Sequence, residues 1–271
     1  MTHQTTAGTY AELGGLNLYY ERHGTPRPDG APLVLLHGGF GATSMFSGLI
    51  PALSARREVI AVDLQAHGRT ADIDRPMRFE TLGDDVAGLL GHLKLPQADV
   101  LGYSLGAGAA LRFAVQHSGS LRKLVVVSFP FRRSGWFPEV REGMAQIGPH
   151  TAEGLKQGPM HSLYTSLAPH PDDWPRLVTR VGEVVNSEHD WADELREFRN
   201  PTLIVAGDAD SFAPAHAAEF FALLGGGLRD AGWDGSGRTA HRLAVLPGAT
   251  HYDILQSPLL LPAVTAFLDA P

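Results

Sequence analysis

Six short apolar runs, each closed off by turn-forming residues, constrain the fold of this chain more than any other feature. They are Leu33–Leu36, Val59–Val62, 100–101, 124–127, 203–206 and 243–246. A strand that is apolar at every position is buried on both faces, as in a parallel sheet covered by helices. Segments with helical spacing lie between most of the runs, at 45–53, 82–93, 105–115, 216–224 and 259–268. Strand and helix in alternation imply βαβ crossovers and a mostly parallel sheet with helices on both faces. Ahead of the first run, residues 10–13 and 16–22 flank Gly14-Gly15, a pair suited to the positive φ of a tight turn, so an antiparallel hairpin opens the chain. In such a sheet the active site is expected beyond the carboxyl ends of the strands.

The alternation breaks once, over 131–198, where Pro, Gly, His, Trp and charged residues replace strand-like runs. The amphipathic stretch 177–185 predicts short helices there. An insertion after one strand of a parallel sheet sits above the strand ends, so this segment is expected to form a cap. Its aromatics, Trp136, Tyr164 and Trp174 among them, fit either a narrow apolar pocket or exposed loop positions. Residues 225–239, rich in Gly and polar side chains, read as a surface loop. With 271 residues the chain can bury one good-sized core, which predicts a single domain over 1–271 with 131–198 as its insertion. Nothing in the sequence specifies an oligomeric state.

Charged residues at 19% and hydrophobic residues at 44% are ordinary for a soluble globular protein. A net charge of −7 leaves no basic footprint, which argues against a nucleic acid or an anionic membrane surface as partner and for a neutral small molecule. There is no cysteine, so disulfides, thiolate zinc sites and a cysteine nucleophile are excluded. No H-E-x-x-H or similar constellation calls for a metal, and no cofactor is expected. The first ten residues are polar and lack an apolar leader, and no stretch approaches the ~18 apolar residues of a membrane span. A cytoplasmic location is therefore expected.

The chemistry begins at Gly102-Tyr103-Ser104-Leu105-Gly106, which follows the run around Val100 and opens a helical segment. This is the G-x-S-x-G pattern in its strand, turn and helix context, where the serine occupies a strained turn that raises Oγ above the sheet. A glycine-rich turn could instead cradle a phosphate, but a P-loop Lys is missing and Gly102, Ser104 and Gly106 do not fit G-x-G-x-x-G. Serine needs a base, and histidine suits the role. Of 13 histidines, His251 stands out because it follows the last run through Pro247-Gly248. His37, His67 and His92 read as structural or surface residues. The histidine in turn needs a carboxylate, and Asp208 and Asp210 both follow the run at 203–206.

With His37-Gly38-Gly39-Phe40, Gly102 to Gly106, Gly207-Asp208-Ala209-Asp210 and Gly248-Ala249-Thr250-His251 in this order, the chain resembles the α/β-hydrolase superfamily over nearly its whole length. The resemblance implies an α/β fold with a sheet of about eight strands, flanked by helices, and a helical cap inserted after the sixth. It favours Asp210 as the acid, leaving Asp208 as a turn former bonded to nearby backbone N–H groups. It implies an oxyanion hole from the backbone N–H of Leu105 and of Gly39, or of Phe40 if the loop is displaced by one residue. Phe40 and Tyr103 are expected to line the substrate pocket. The stretch from Asp63 to Gly68 resembles the family's D-x-x-G-x-G segment with Ala66 in place of its first glycine.

Hydrolysis of a small carboxylic ester or lactone through an acyl-enzyme is the activity this implies. Carbon–carbon bond hydrolysis of a diketone and cofactor-free perhydrolysis use the same triad, and a ligand receptor with little turnover is the alternative of another class. A serine nucleophile argues against the dehalogenase and epoxide hydrolase branches, in which a carboxylate attacks.

Overall fold

The computed structural model describes residues 8–26 and 30–270, so residues 1–7 of the polar N-terminal stretch lie outside the described residues. The hairpin is β1 (Thr9–Leu13) and β2 (Leu16–His23). There follow β3 (Leu33–Leu36), α1 (Ile50–Ser54), β4 (Val59–Val62), α2 (Phe79–His92), β5 (Ala98–Tyr103), α3 (Leu105–Gln116) and β6 (Leu121–Val127). Between β6 and the next strand lie α4 (Pro138–Ala145), α5 (Pro159–Leu167), α6 (Trp174–Val185) and α7 (Ala192–Glu197). The chain closes with β7 (Thr202–Ala209), α8 (Pro214–Leu223), β8 (Arg242–Thr250) and α9 (Leu260–Leu268).

All eight strands form one sheet in the order β1-β2-β4-β3-β5-β6-β7-β8. β1 pairs antiparallel with β2 and β2 with β4, and every other pairing is parallel. Leu36 stands opposite both Val62 and Gly102, Tyr103 opposite Val127, and Val127 opposite Val205. The carboxyl ends of β3 to β7 therefore meet along one edge. Alternation divides the sheet's apolar side chains between two layers. Leu33, Leu35, Leu101, Val125 and Val205 pack with α1 and α9, and Val34, Leu36, Val100, Val126 and Ile204 pack with α2, α3 and α8.

The helix expected over 45–53 is interrupted. A 3-10 turn spans Thr43–Phe46 and α1 starts only at Ile50, because Gly48 and Pro51 break the first turn. In the insertion, α6 buries Trp174, Leu177, Val178, Val181 and Val184 on one face. Its other side is tied to the core through Asp72, whose carboxylate accepts bonds from Arg176 and Arg180, the latter at 2.9 Å. Among the described residues no helix is long and apolar enough to cross a membrane.

Candidate active site

Among the described residues, four of the five non-glycine residues with positive φ lie within four residues of the ends of β3, β4, β5 and β6: Phe40 (60°), Ala66 (66°), Ser104 (53°) and Ser128 (54°). Left-handed backbone costs an L-residue about 1–2 kcal/mol. Its concentration along the carboxyl edge of the sheet marks that edge as the place where chain direction is forced.

At Ser104 (φ 53°, ψ −122°) the backbone is pinned on both sides. Its N–H donates to Val127 O at 3.0 Å, and its carbonyl accepts from the N–H of Ala107 at 2.8 Å and of Gly108 at 3.1 Å. The two flanking glycines are obligatory for close approach. A Cβ on Gly102 would lie 2.2 Å from Gly106 O, and one on Gly106 would lie 2.2 Å from Leu36 O.

Ser104 Oγ stands 3.0 Å from His251 Nε2. On the far side of the ring, Nδ1 stands 3.1 Å from Asp210 Oδ1. With the carboxylate ionised, Nδ1 carries the proton and Nε2 is left as acceptor for the serine hydroxyl. Asp210 is buried, which works to raise its pKa, but bonds from His251, Ser128 and Gly207 outweigh burial and hold the carboxyl below its ordinary range. Donors fill both oxygens: Ser211 N–H (2.7 Å) and His251 on Oδ1, Ser128 Oγ–H (2.6 Å) and Gly207 N–H (3.0 Å) on Oδ2.

His251 is positioned by more than its acid. Tyr103 donates its hydroxyl to the His251 carbonyl at 2.6 Å, and the edge of Trp136 meets the imidazole at a centroid distance of 5.6 Å. The buried Tyr103 side chain belongs to the layer packed with α1 and α9, because the last residue of β5 points to the face opposite Gly102. Asp208 departs from expectation. Its Oδ1 accepts the N–H of Gly248, forty residues on in β8, at 2.8 Å, so it ties the histidine loop to β7 instead of closing its own turn.

The loop after β3 runs beside the serine. A Cβ on Gly38 would lie 3.2 Å from Ser104 Cβ, and one on Gly39 would lie 3.4 Å from Val181 Cγ1 of α6 and 3.7 Å from Leu105 Cδ1. Gly39 is thus enclosed between α6 and the head of α3. The N–H of Leu105 lies in the first turn of α3, where helix N–H groups have no helical acceptor. Phe40 is half-buried and its ring meets Trp174 at 5.7 Å. Trp136, Tyr164 and Trp174 are buried, not exposed: Trp136 and Trp174 reach His251 and Phe40, and Tyr164 packs on Trp174.

His37 and His67 are both fully buried away from this array. His37 donates from Nδ1 to Gly38 O (2.8 Å) and accepts Leu64 N–H on Nε2 (3.0 Å), which braces the loop after β3 against the loop after β4. His92 is exposed. Among the described residues no group of three or more His, Cys, Asp or Glu side chains could hold a metal ion. Sequence reasoning missed Ser128 and the Trp136 contact. The signal for Ser128 was a lone polar residue closing an apolar run.

A family model for the alpha/beta hydrolase fold matches residues 31–156. The chain is 24% identical over 281 residues to the 2-(acetamidomethylene)succinate hydrolase of Mesorhizobium japonicum, covering 96% of this chain and 94% of that one. It is 26% identical to the non-heme haloperoxidase of Rhodococcus erythropolis, covering 88% and 90%. Among solved structures, the enol-lactonase from Burkholderia xenovorans LB400 superposes with a TM-score of 0.72 at 21% identity, over 96% of this chain and 100% of that one.

Proposed function

The chain belongs to the α/β-hydrolase superfamily and is a hydrolase, and from that premise we propose that it cleaves a small carboxylic ester or lactone through an acyl-enzyme on Ser104. The observation that carries this reading is the unbroken chain of contacts from Ser104 Oγ through His251 to Asp210, 3.0 and 3.1 Å long, at the head of α3.

In the first half-reaction Ser104 Oγ attacks the carbonyl carbon while its proton passes to His251 Nε2. The oxygen that gains negative charge is received by the N–H groups of Leu105 and Gly39. Asp210 stays ionised and stabilises the imidazolium. Collapse of the intermediate breaks the bond to the alcohol oxygen, which takes the proton from His251. Water then repeats the sequence, giving its proton to His251 as it attacks the acyl carbon. The acid is released and the Ser104 hydroxyl restored. Trp136 packs on His251, and Val181 and Leu105 flank Gly39, which supports an apolar, neutral substrate. The close fit of Val181 over Gly39 supports a short acyl group.

One relative supports a second reading on the same residues: the similarity to a non-heme haloperoxidase is consistent with peroxide replacing water in the second half-reaction. The test of the main reading is a panel of chromogenic esters of increasing acyl length together with simple lactones. Turnover of short-chain members is expected, falling by about 10³ or more in Ser104→Ala. A folded wild-type protein that hydrolyses none of them would overturn the proposal.

A further inference from the structure

Asp210 draws its hydrogen bonds from its own turn, from His251 and from one residue elsewhere in the chain, Ser128. Ser128 is the first residue after β6, fully buried, with its N–H donating to Val205 O at 2.9 Å and its hydroxyl donating to Asp210 Oδ2 at 2.6 Å. It therefore clamps the end of β6 to the carboxylate at the end of β7. It does so at φ 54°, a conformation that glycine adopts without strain. The serine keeps a strained backbone at a site where its side chain makes one directed bond.

Resting on the serine-hydrolase reading, we infer that Ser128 is a positioning residue, which acts through Asp210 to set the orientation and proton affinity of His251. The hydroxyl fixes the plane of the carboxylate so that Oδ1 faces His251 Nδ1. Its O–H dipole also offsets part of the negative charge that the imidazolium feels. Without it, Asp210 remains ionised on its three other donors, and its field on the ring is stronger. The residue that follows reinforces the arrangement: Phe129 packs at 5.7 Å on Trp136, whose edge meets His251.

The test is the rate of covalent modification of Ser104 by a fluorophosphonate as a function of pH, which reports the fraction of His251 able to act as base. Ser128→Ala and Ser128→Gly both remove the hydroxyl, and the glycine also relieves the backbone, so that variant folds even where the alanine does not. Both are expected to react about tenfold more slowly, with the acid limb displaced upward by about half a pH unit or more. Loss of packing alone would lower the folded fraction and leave the limb in place. A limb at the wild-type position in the glycine variant, or one displaced only in the alanine variant, overturns the inference. If wild-type Ser104 itself fails to react, the serine-hydrolase reading falls and takes this inference with it, an outcome visible before any variant is made.

Discussion

Replacing His67 by Phe should flatten the loss of stability that acid causes. The His67 ring is fully buried, lies 5.1 Å from that of His37, and donates from Nδ1 to Gln65 O at 2.8 Å. Its Nε2 is buried with no hydrogen-bond partner among the described residues. Burial, then the neighbouring His37, push its pKa down to about 3 from an ordinary 6.5. Between those two values the unfolded chain binds a proton that the folded chain refuses, so stability falls as pH falls. The loss from this one group is ~0.8 kcal/mol at pH 6 and ~2 kcal/mol at pH 5, relative to pH 8. His37, held at about 4 by its burial, adds a parallel loss that the substitution leaves in place. Phenylalanine keeps the ring volume and cannot titrate. It forfeits the bond to Gln65, ~1 kcal/mol at every pH. Urea unfolding of both proteins at pH 8, 6 and 5 reads the difference directly. The wild-type advantage should shrink by ~2 kcal/mol across that range and change sign near its acid end. Parallel stability curves would show that His67 titrates alike in the folded and unfolded states, and the argument from burial would be refuted.

Asp210→Asn should lower kcat by about 10³–10⁴ with the fold intact, since an amide lets the imidazole settle in the wrong tautomer. Asp208→Asn should keep near wild-type kcat and lose ~1 kcal/mol or less, because its amide oxygen still accepts the Gly248 N–H; steady-state kinetics with thermal unfolding checks both, and reversal of the two outcomes would reassign the acid. Ala66→Gly should raise the unfolding midpoint, because relief of the left-handed strain at φ 66°, ~1–2 kcal/mol, exceeds the added freedom of the unfolded chain; a lower midpoint would contradict it.

What the sequence disclosed and what it withheld divide along a physical line. Leu33–Leu36 and Val59–Val62 were legible to the residue, because a strand buried on both faces writes itself as an uninterrupted apolar run with turn residues at each end. Ser104, His251 and the Asp pair were legible because each closes a strand in a known order. The end of β8 was not. Pro247-Gly248 looks like a stop, yet the strand continues to Thr250 through a register shift opposite β7. α2 begins at Phe79, three residues ahead of the expected start, with the Arg78 N–H bonded to Thr81 Oγ1 instead of a conventional cap side chain. The partners of Asp208, Tyr103 and Ser128 lie 40, 148 and 82 residues away, contacts that depend on sheet register and cannot be read from the local sequence alone. Which face Tyr103 takes was decided by strand parity at the final residue of β5, where an error of one position reverses the answer.

The central claim, that Ser104 is an activated nucleophile served by His251, is tested most directly by intact-protein and peptide mass spectrometry after brief exposure to a fluorophosphonate at neutral pH. One adduct per chain is expected, on Ser104. It should be absent in Ser104→Ala and formed at least about 10³-fold more slowly in His251→Ala. An adduct on any other serine, or a His251→Ala protein labelled at the wild-type rate, would contradict the account.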